Sequence, residues 1–180
     1  CSHSLGPILK WMDDYVVRCT ASGRDSRALS PAADGNIDMQ VGLFETSKGA
    51  TIKVLRSSVA LRHPGLCSYS IYGTKGAIES SRSDYEGIGY RYFEDVDPQS
   101  GRIIPINISN IDAPKEAALG GHGTSEYYLV RDFLDSIKND TTPPIDIVKA
   151  MDMTVPGLVA HEAAMQGNVW LDVPRLTDAY

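Results

Sequence analysis

The side chains in this sequence best suited to moving a proton near neutral pH are four histidines: His3, His63, His122 and His161. Two stand at the entrance to a helix-forming stretch, His122 between glycines and His3 three residues before Gly6. His122 lies in Gly120-Gly121-His122-Gly123-Thr124-Ser125-Glu126, a loop that feeds Tyr127 to Ile137. His3 lies in Cys1-Ser2-His3-Ser4-Leu5-Gly6-Pro7. The first N–H groups of a helix lack intrahelical partners and attract anions and polar ligands. Each of these histidines therefore has two readings, a ligand-facing group or a hydrogen bond within its own turn, and the residues alone leave both open. His63 precedes Pro64-Gly65 and reads as a turn residue, while His161, beside Glu162 in a helical stretch, reads as structural. Nine tyrosines stand against three phenylalanines; Tyr127 and Tyr128 follow the His122 loop, and Tyr90 and Tyr92 share the strand-like Ile88–Phe93. Tyrosine suits sugar binding, stacking by its face and hydrogen-bonding by its hydroxyl. Taken singly, each also fits ordinary packing with a wet tip.

Other chemistries find no motif. Gly87-Ile88-Gly89 has Tyr92 where a dinucleotide fingerprint needs its third glycine, and it precedes a strand instead of opening a helix. No Walker loop, no G-x-S-x-G and no metal-spaced histidine pair occurs. Cys1, Cys19 and Cys67 are odd in number and widely spaced, against a disulfide framework or a zinc site. Cys19, inside a strand-like run, reads as a small buried apolar residue. The cysteine usage fits a reducing cytoplasm, which is the expected location.

The elements that must hold these residues follow from periodicity. Residues 3–12 suit a short helix, with Pro7 in its first turn and Asp13-Asp14 at its end. Tyr15 to Ala21 alternates as a strand, and residues 22–36 read as loop. Ile37 to Glu45 and Thr51 to Arg56 alternate on either side of Ser47-Lys48-Gly49, a hairpin pattern. Cys67–Gly73, Ala77–Ser80 and Ile88–Phe93 read as further strands, with Ile103–Ile108 a short one inside a loop-like 94–119. Thr124 or Ser125 can cap the next helix, and Val130, Phe133, Leu134 and Ile137 share the face by which it should pack on a sheet. Asp146 can cap a last helix to about residue 166, which Pro156-Gly157 should kink or interrupt before Gly167 ends it. Val169–Val173 reads as a final, edge-type strand.

A helix, a run of antiparallel strands and two helices predict an α+β fold, an open, mainly antiparallel sheet with helices on one face. The 180 residues, 42% of them hydrophobic, fit a single domain spanning 1–180. The net charge of −6 and the lack of a basic stripe argue against nucleic acid as a partner, and no apolar run approaches the ~20 residues of a membrane helix. The chain starts at Cys1 with no signal-like segment, and it is expected to be part of something longer.

Four stretches together resemble the C-terminal domain of the Gfo/Idh/MocA family of NAD(P)-dependent oxidoreductases. They are Cys1–Pro7, Tyr72-Gly73-Thr74-Lys75-Gly76-Ala77-Ile78-Glu79, Gly120-Gly121-His122-Gly123 with its helix, and Pro143-Pro144-Ile145-Asp146 through Gly167. The His-Ser-Leu-Gly-Pro and Gly-Gly-His-Gly pair resembles a narrower branch that includes glycoside hydrolase family 109. The resemblance implies a substrate-binding and oligomerisation domain whose N-terminal Rossmann partner, the main binder of NAD or NADP, is absent from this chain. It implies a sugar, polyol or related alcohol as substrate, and a homo-oligomer formed through the sheet face. His3 matches the family histidine that opens the first helix and acts at the substrate hydroxyl, and His122 the second histidine of the branch, at the substrate pocket. Tyr127 and Tyr92 are the further substrate-binding candidates. Many members carry an acidic residue three positions after the first histidine, where this chain has Gly6. A glycosidase working by transient oxidation and elimination shares the first chemical step and is one alternative outcome; the other is that this chain by itself is a non-catalytic ligand-binding and dimerisation module. No metal site is expected.

Overall fold

In the computed structural model the described residues are 1–24, 37–59, 67–80, 87–97, 103–108, 112–119 and 124–179. They form two compact units, Cys1–Leu61 with Ile145–Tyr180, and Arg62–Pro144.

The first unit opens with helix α1, Ser2–Met12, followed by strands β1, Val16–Arg24, β2, Met39–Thr46, and β3, Thr51–Ser57. Helix α3, Ile147–Met165, and strand β8, Leu171–Asp172, complete it. The sheet order is β3-β2-β1-β8, and each pairing is antiparallel. The β2–β3 hairpin turns where expected. Gly49 takes φ +85°, a left-handed conformation that glycine adopts without strain, and its N–H donates to the Thr46 carbonyl at 3.0 Å. Strand alternation puts Ala21, Cys19, Phe44, Ile52 and Val54 on one face, where they form a core with Leu5 and Leu9 of α1 and Ala160 of α3. The other face carries Met39, Val41, Leu43 and Leu55, all exposed.

The second unit holds β4, Ser70–Gly73, β5, Gly76–Ser80, β6, Ile88–Phe93, and β7, Ile104–Asn107, a four-stranded antiparallel sheet in chain order. A 3-10 turn over Lys115–Leu119 and helix α2, Ser125–Asn139, follow.

The expected class, α+β with antiparallel sheet and helices, is borne out, with two four-stranded sheets where one open sheet was expected. Four local expectations need correction. β1 continues to Arg24, three residues further than its alternation suggested. Residues 94–119 contain a 3-10 turn as well as β7. Pro7 lies in the second turn of α1, where it offers no N–H to the carbonyl four residues back. Pro156 does not interrupt α3, which runs unbroken for 19 residues. Pro156, Ala160 and Ala163 are all buried, and burial of that stripe outweighs the local preference to break.

The largest departure concerns α2. Its apolar stripe does not pack on a sheet: Val130, Phe133, Leu134 and Ile137 are each more than half exposed. The residue it buries is Ser136, whose hydroxyl donates to the Phe133 carbonyl at 2.7 Å. The helix seats against the 3-10 turn, where Ala117 is buried. Amphipathic spacing identifies the apolar face of a helix and says nothing of what meets it.

Candidate functional site

His3 sits in the first turn of α1 with its side chain exposed. What fixes this turn is close helix contact. The N–H groups of Ser4 and Leu5 both donate to the Cys1 carbonyl, at 2.9 and 2.8 Å. Leu5 is fully buried, so the helix is anchored one residue beyond Ser4. A Cβ on Gly6 would lie 3.2 Å from Met153 Sδ, and one on Gly157 would lie 2.7 Å from Cys1 Cβ. Gly157, and to a lesser degree Gly6, thus lets α1 and α3 approach closely beside the turn that carries His3. The packed face of α1 is that of Leu5 and Leu9, and helical spacing turns His3 away from it.

The other end of α1 is tied down by the β2–β3 turn. Asp13 closes the helix in a left-handed conformation, φ 48°. The Lys48 ammonium donates to the Met12 and Asp13 carbonyls at 3.0 and 2.6 Å, a cation at the negative end of the helix dipole. Asp14 accepts from Ser47 Oγ at 2.6 Å and from the Tyr15 N–H at 2.8 Å. Partial burial pushes the Asp14 carboxyl up, but hydrogen bonds from Ser47, Thr46, Tyr15 and Lys48 outweigh it and hold the group below its ordinary value. Arg175 adds a clamp between segments. It grips Asp152 of α3 through Nε at 3.1 Å and a second guanidinium nitrogen at 2.9 Å, and its Cζ lies 3.8 Å from the Tyr15 ring centroid.

Among the tyrosines, Tyr127 and Tyr128 open α2 with their rings edge to face, 5.3 Å apart. The Arg131 guanidinium lies 4.5 Å from the Tyr128 centroid and 6.0 Å from that of Tyr127, and pairs with Asp132 at 2.6 Å. Tyr92 stands in β6, half-buried and in register with Ala77 of β5. His161 is exposed on α3. His63 and His122 lie outside the described residues. His3 therefore belongs to the first unit, and Tyr92 and Tyr127 to the second.

Two features escaped the sequence reading. One is the Arg175–Asp152–Tyr15 clamp, whose members are far apart in sequence. The other is Tyr72, which donates its hydroxyl proton to Glu79 across the β4–β5 hairpin. The short Gly73–Gly76 connection, which sets Tyr72 opposite Ala77, was the available signal. Burial pushes the Cys19 thiol up to about 11, the inert buried cysteine its strand position suggested. Among the described residues no three His, Cys, Asp or Glu side chains gather as a metal site, and no helix is long and apolar enough to cross a membrane.

No family model matches this sequence. Structural similarity is strong over the whole chain. Levoglucosan dehydrogenase, solved with NADH and levoglucosan, aligns at TM-score 0.74 and 18% identity, over 97% of this chain and 49% of that one. An NAD-binding oxidoreductase from Klebsiella pneumoniae aligns at 0.73 and 19%, over 97% and 49%. Aldose-aldose oxidoreductase from Caulobacter crescentus, complexed with glycerol, aligns at 0.67 and 18%, over 96% and 45%. The fold is that of an oxidoreductase C-terminal domain.

The sequence relatives point to the narrower branch. A glycosyl hydrolase family 109 protein of Streptomyces filamentosus is 26% identical over 98% of this chain and 39% of its own length. One from Solibacter usitatus (strain Ellin6076) is 25% identical over 98% and 44%. The resemblance to that branch of the Gfo/Idh/MocA oxidoreductases is borne out across the chain. The chain spans about two fifths of the length of these curated relatives.

Proposed function

We propose that this chain is the substrate-binding and oligomerisation domain of a longer NAD(P)-dependent oxidoreductase acting on a sugar, polyol or related alcohol. The observation that carries the proposal is the chain-length match to such a domain, with His3 held at the exposed start of α1. In this reading His3 binds or deprotonates the substrate hydroxyl while hydride leaves the same carbon. His122, Tyr127 and Tyr92 contact the substrate.

The dinucleotide, which accepts or donates the hydride, belongs mainly to a Rossmann domain outside this chain. The described strands pair only antiparallel, and Ile88 begins a strand, so Gly87-Ile88-Gly89 opens no phosphate-binding helix. The chain's own contribution is to hold the His3 turn rigidly and to bind the substrate. The exposed Met39, Val41, Leu43 and Leu55 on the outer face of the first sheet support packing against a second copy. A cytoplasmic location completes the reading.

The test is His3→Ala in the longer protein. We expect general acid–base loss of about 100-fold or more in turnover of a sugar alcohol. An unchanged rate would make His3 structural and remove the proposal's centre.

The names of the sequence relatives favour a second outcome of the same first step, glycoside cleavage by oxidation, elimination of the aglycone, addition of water to the double bond formed and return of the hydride. Release of the aryl alcohol from an aryl glycoside with no net NADH supports it. Stoichiometric NADH supports the dehydrogenase.

A further inference from the structure

The two helices that cover the first sheet each carry a second, outward face. In α3 the core side is Pro156, Ala160 and Ala163. Opposite it stand Ile147, Met151, Thr154, Leu158, His161 and Met165, in alternating steps of four and three residues, and all six are exposed. That spacing is the stripe by which one helix packs along another. None of the six is Asp, Glu, Lys or Arg. A helix apolar on both sides has the character of a buried one, yet Ile147 is 67% and Leu158 66% exposed. In α1 the core side is Leu5 and Leu9. His3, Pro7 and Trp11, at steps of four, fall on the opposite side, and Trp11 is 62% exposed.

These two outward faces make one surface. The core sides of both helices join the same cluster with the sheet. α1 runs antiparallel to α3, because Cys1 lies against Gly157 and Gly6 against Met153. The first turn of α1, with His3, is therefore beside the Leu158 part of the stripe, and its Trp11 end runs toward Ile147. We propose that an apolar helix of the dinucleotide-binding domain outside this chain docks on this surface. The proposal rests on the reading of the chain as one domain of a longer oxidoreductase, and it names where the other domain sits.

Size is the first argument for that occupant. With 19 residues, α3 is about 28 Å long. Adding α1 at about 8–10 Å to its side gives a surface of about 450 Å². Covering it buries about 900 Å² in total, within the roughly 600–1,500 Å² of a contact between domains of one chain and short of the roughly 1,600 Å² of a stable complex between separate molecules. A tethered partner needs less area, because its effective concentration is high. The chain spans about half the length of the solved oxidoreductases that it matches, so in this reading such a partner is at hand. The place of His3 is the second argument. The reacting carbon must meet the nicotinamide at His3, so the domain that carries the dinucleotide has to approach this face. A second copy seated here would keep the two apart.

Hydroxyl-radical labelling read by mass spectrometry compares the 180-residue chain with the longer protein. Trp11, Leu158 and Met165 should label in the chain and be protected about fivefold or more in the longer protein. Leu158→Asp in the longer protein puts an unpaired charge into the contact, and labelling of Trp11 and Met165 should return to within about twofold of that in the chain. The same substitution in the 180-residue chain should leave its urea midpoint in place, because Leu158 is exposed there. A shifted midpoint would show Leu158 packed within the chain and overturn the docking. So would equal labelling of the two proteins, or protection that survives Leu158→Asp. Protection of the chain alone that rises with its concentration assigns the face to a second copy and overturns it too. The two proposals fail separately. Unchanged turnover in the His3 variant removes the redox reading and leaves the protection standing, whereas equal labelling removes the docking and leaves the redox reading.

Discussion

Replacing Gly157 by alanine tests whether the seam between α1 and α3 sets the position of His3. The new Cβ would meet Cys1 Cβ at 2.7 Å and Cys1 Sγ at 3.2 Å. Carbon atoms in contact rest about 3.5–4.0 Å apart, so relief requires about 1 Å of separation between α3 and Cys1, the residue that precedes α1. Overpacking of this kind costs about 1–3 kcal/mol. Alanine in a helix interior returns about 1 kcal/mol relative to glycine. The net loss is about 0–2 kcal/mol, small beside the roughly 5–15 kcal/mol of an ordinary domain. The chemistry should feel the change more. His3 is two residues from Cys1, and a misplacement of about 1 Å can lower a rate by about 100-fold. The urea midpoint of the chain should therefore move little, while turnover of the longer protein falls at least about tenfold. Gly6→Ala is the internal comparison. Its Cβ meets the flexible Met153 thioether at 3.2 Å, which can yield, so its effect on turnover should be slight. Turnover of the Gly157 variant within about twofold of the unaltered protein would refute a geometric role for the seam. A stability loss above about 4 kcal/mol would refute the packing argument.

Two further outcomes follow from titratable groups. Asp14 has a depressed folded-state pKa, so its contribution is present above the unfolded value of about 3.9 and is lost as pH falls through the folded value. Asp14→Asn should cost about 1–2 kcal/mol at pH 7, and its urea-unfolding curve should converge with that of the unaltered chain below about pH 3. A constant difference between the curves from pH 7 to 2 would exclude the carboxylate as the cause. Cys19, raised to about 11 by burial, should resist iodoacetamide at pH 8 while the exposed Cys1 and Cys67 react. Mass spectrometry of the native chain reads this directly, and labelling of all three thiols at equal rates would contradict the burial.

What the sequence made legible here was local chemistry. Asp13 ends α1, Gly49 turns the hairpin, Asp146 caps α3 by accepting from the Lys149 N–H at 2.9 Å, and Gly167 with φ +89° follows the end of α3. Each depends on one residue's own conformational range or on a partner within four positions. The same holds for His3, whose place at a helix start is a property of seven consecutive residues. Expectations failed where the decisive partner was distant. Pro156 alone argues for a break, but it packs in the interior, and its carbonyl accepts from Cys19 Sγ at 3.7 Å, 137 residues away in sequence. Val130 and Phe133 argue for burial, and that stripe is exposed.

The candidate site divides along the same line, and this bears on what a functional site is in such a chain. His3 is visible as a residue, but the role proposed for it depends on how its turn is held. The turn that carries His3 lies against Gly157 of α3, and the far end of α1 is held by Lys48 on a hairpin turn. Neither carries a chemical signature. Tyr72 and Glu79 become neighbours only because a short turn fixes the register of β4 on β5. A one-residue slip would send Tyr72 to the opposite face of the sheet, away from Glu79. The reactive residue types are therefore readable in order along the chain. The geometry that would make them act together is a property of register and close helix contact, and it is there that substitutions should separate stability from function.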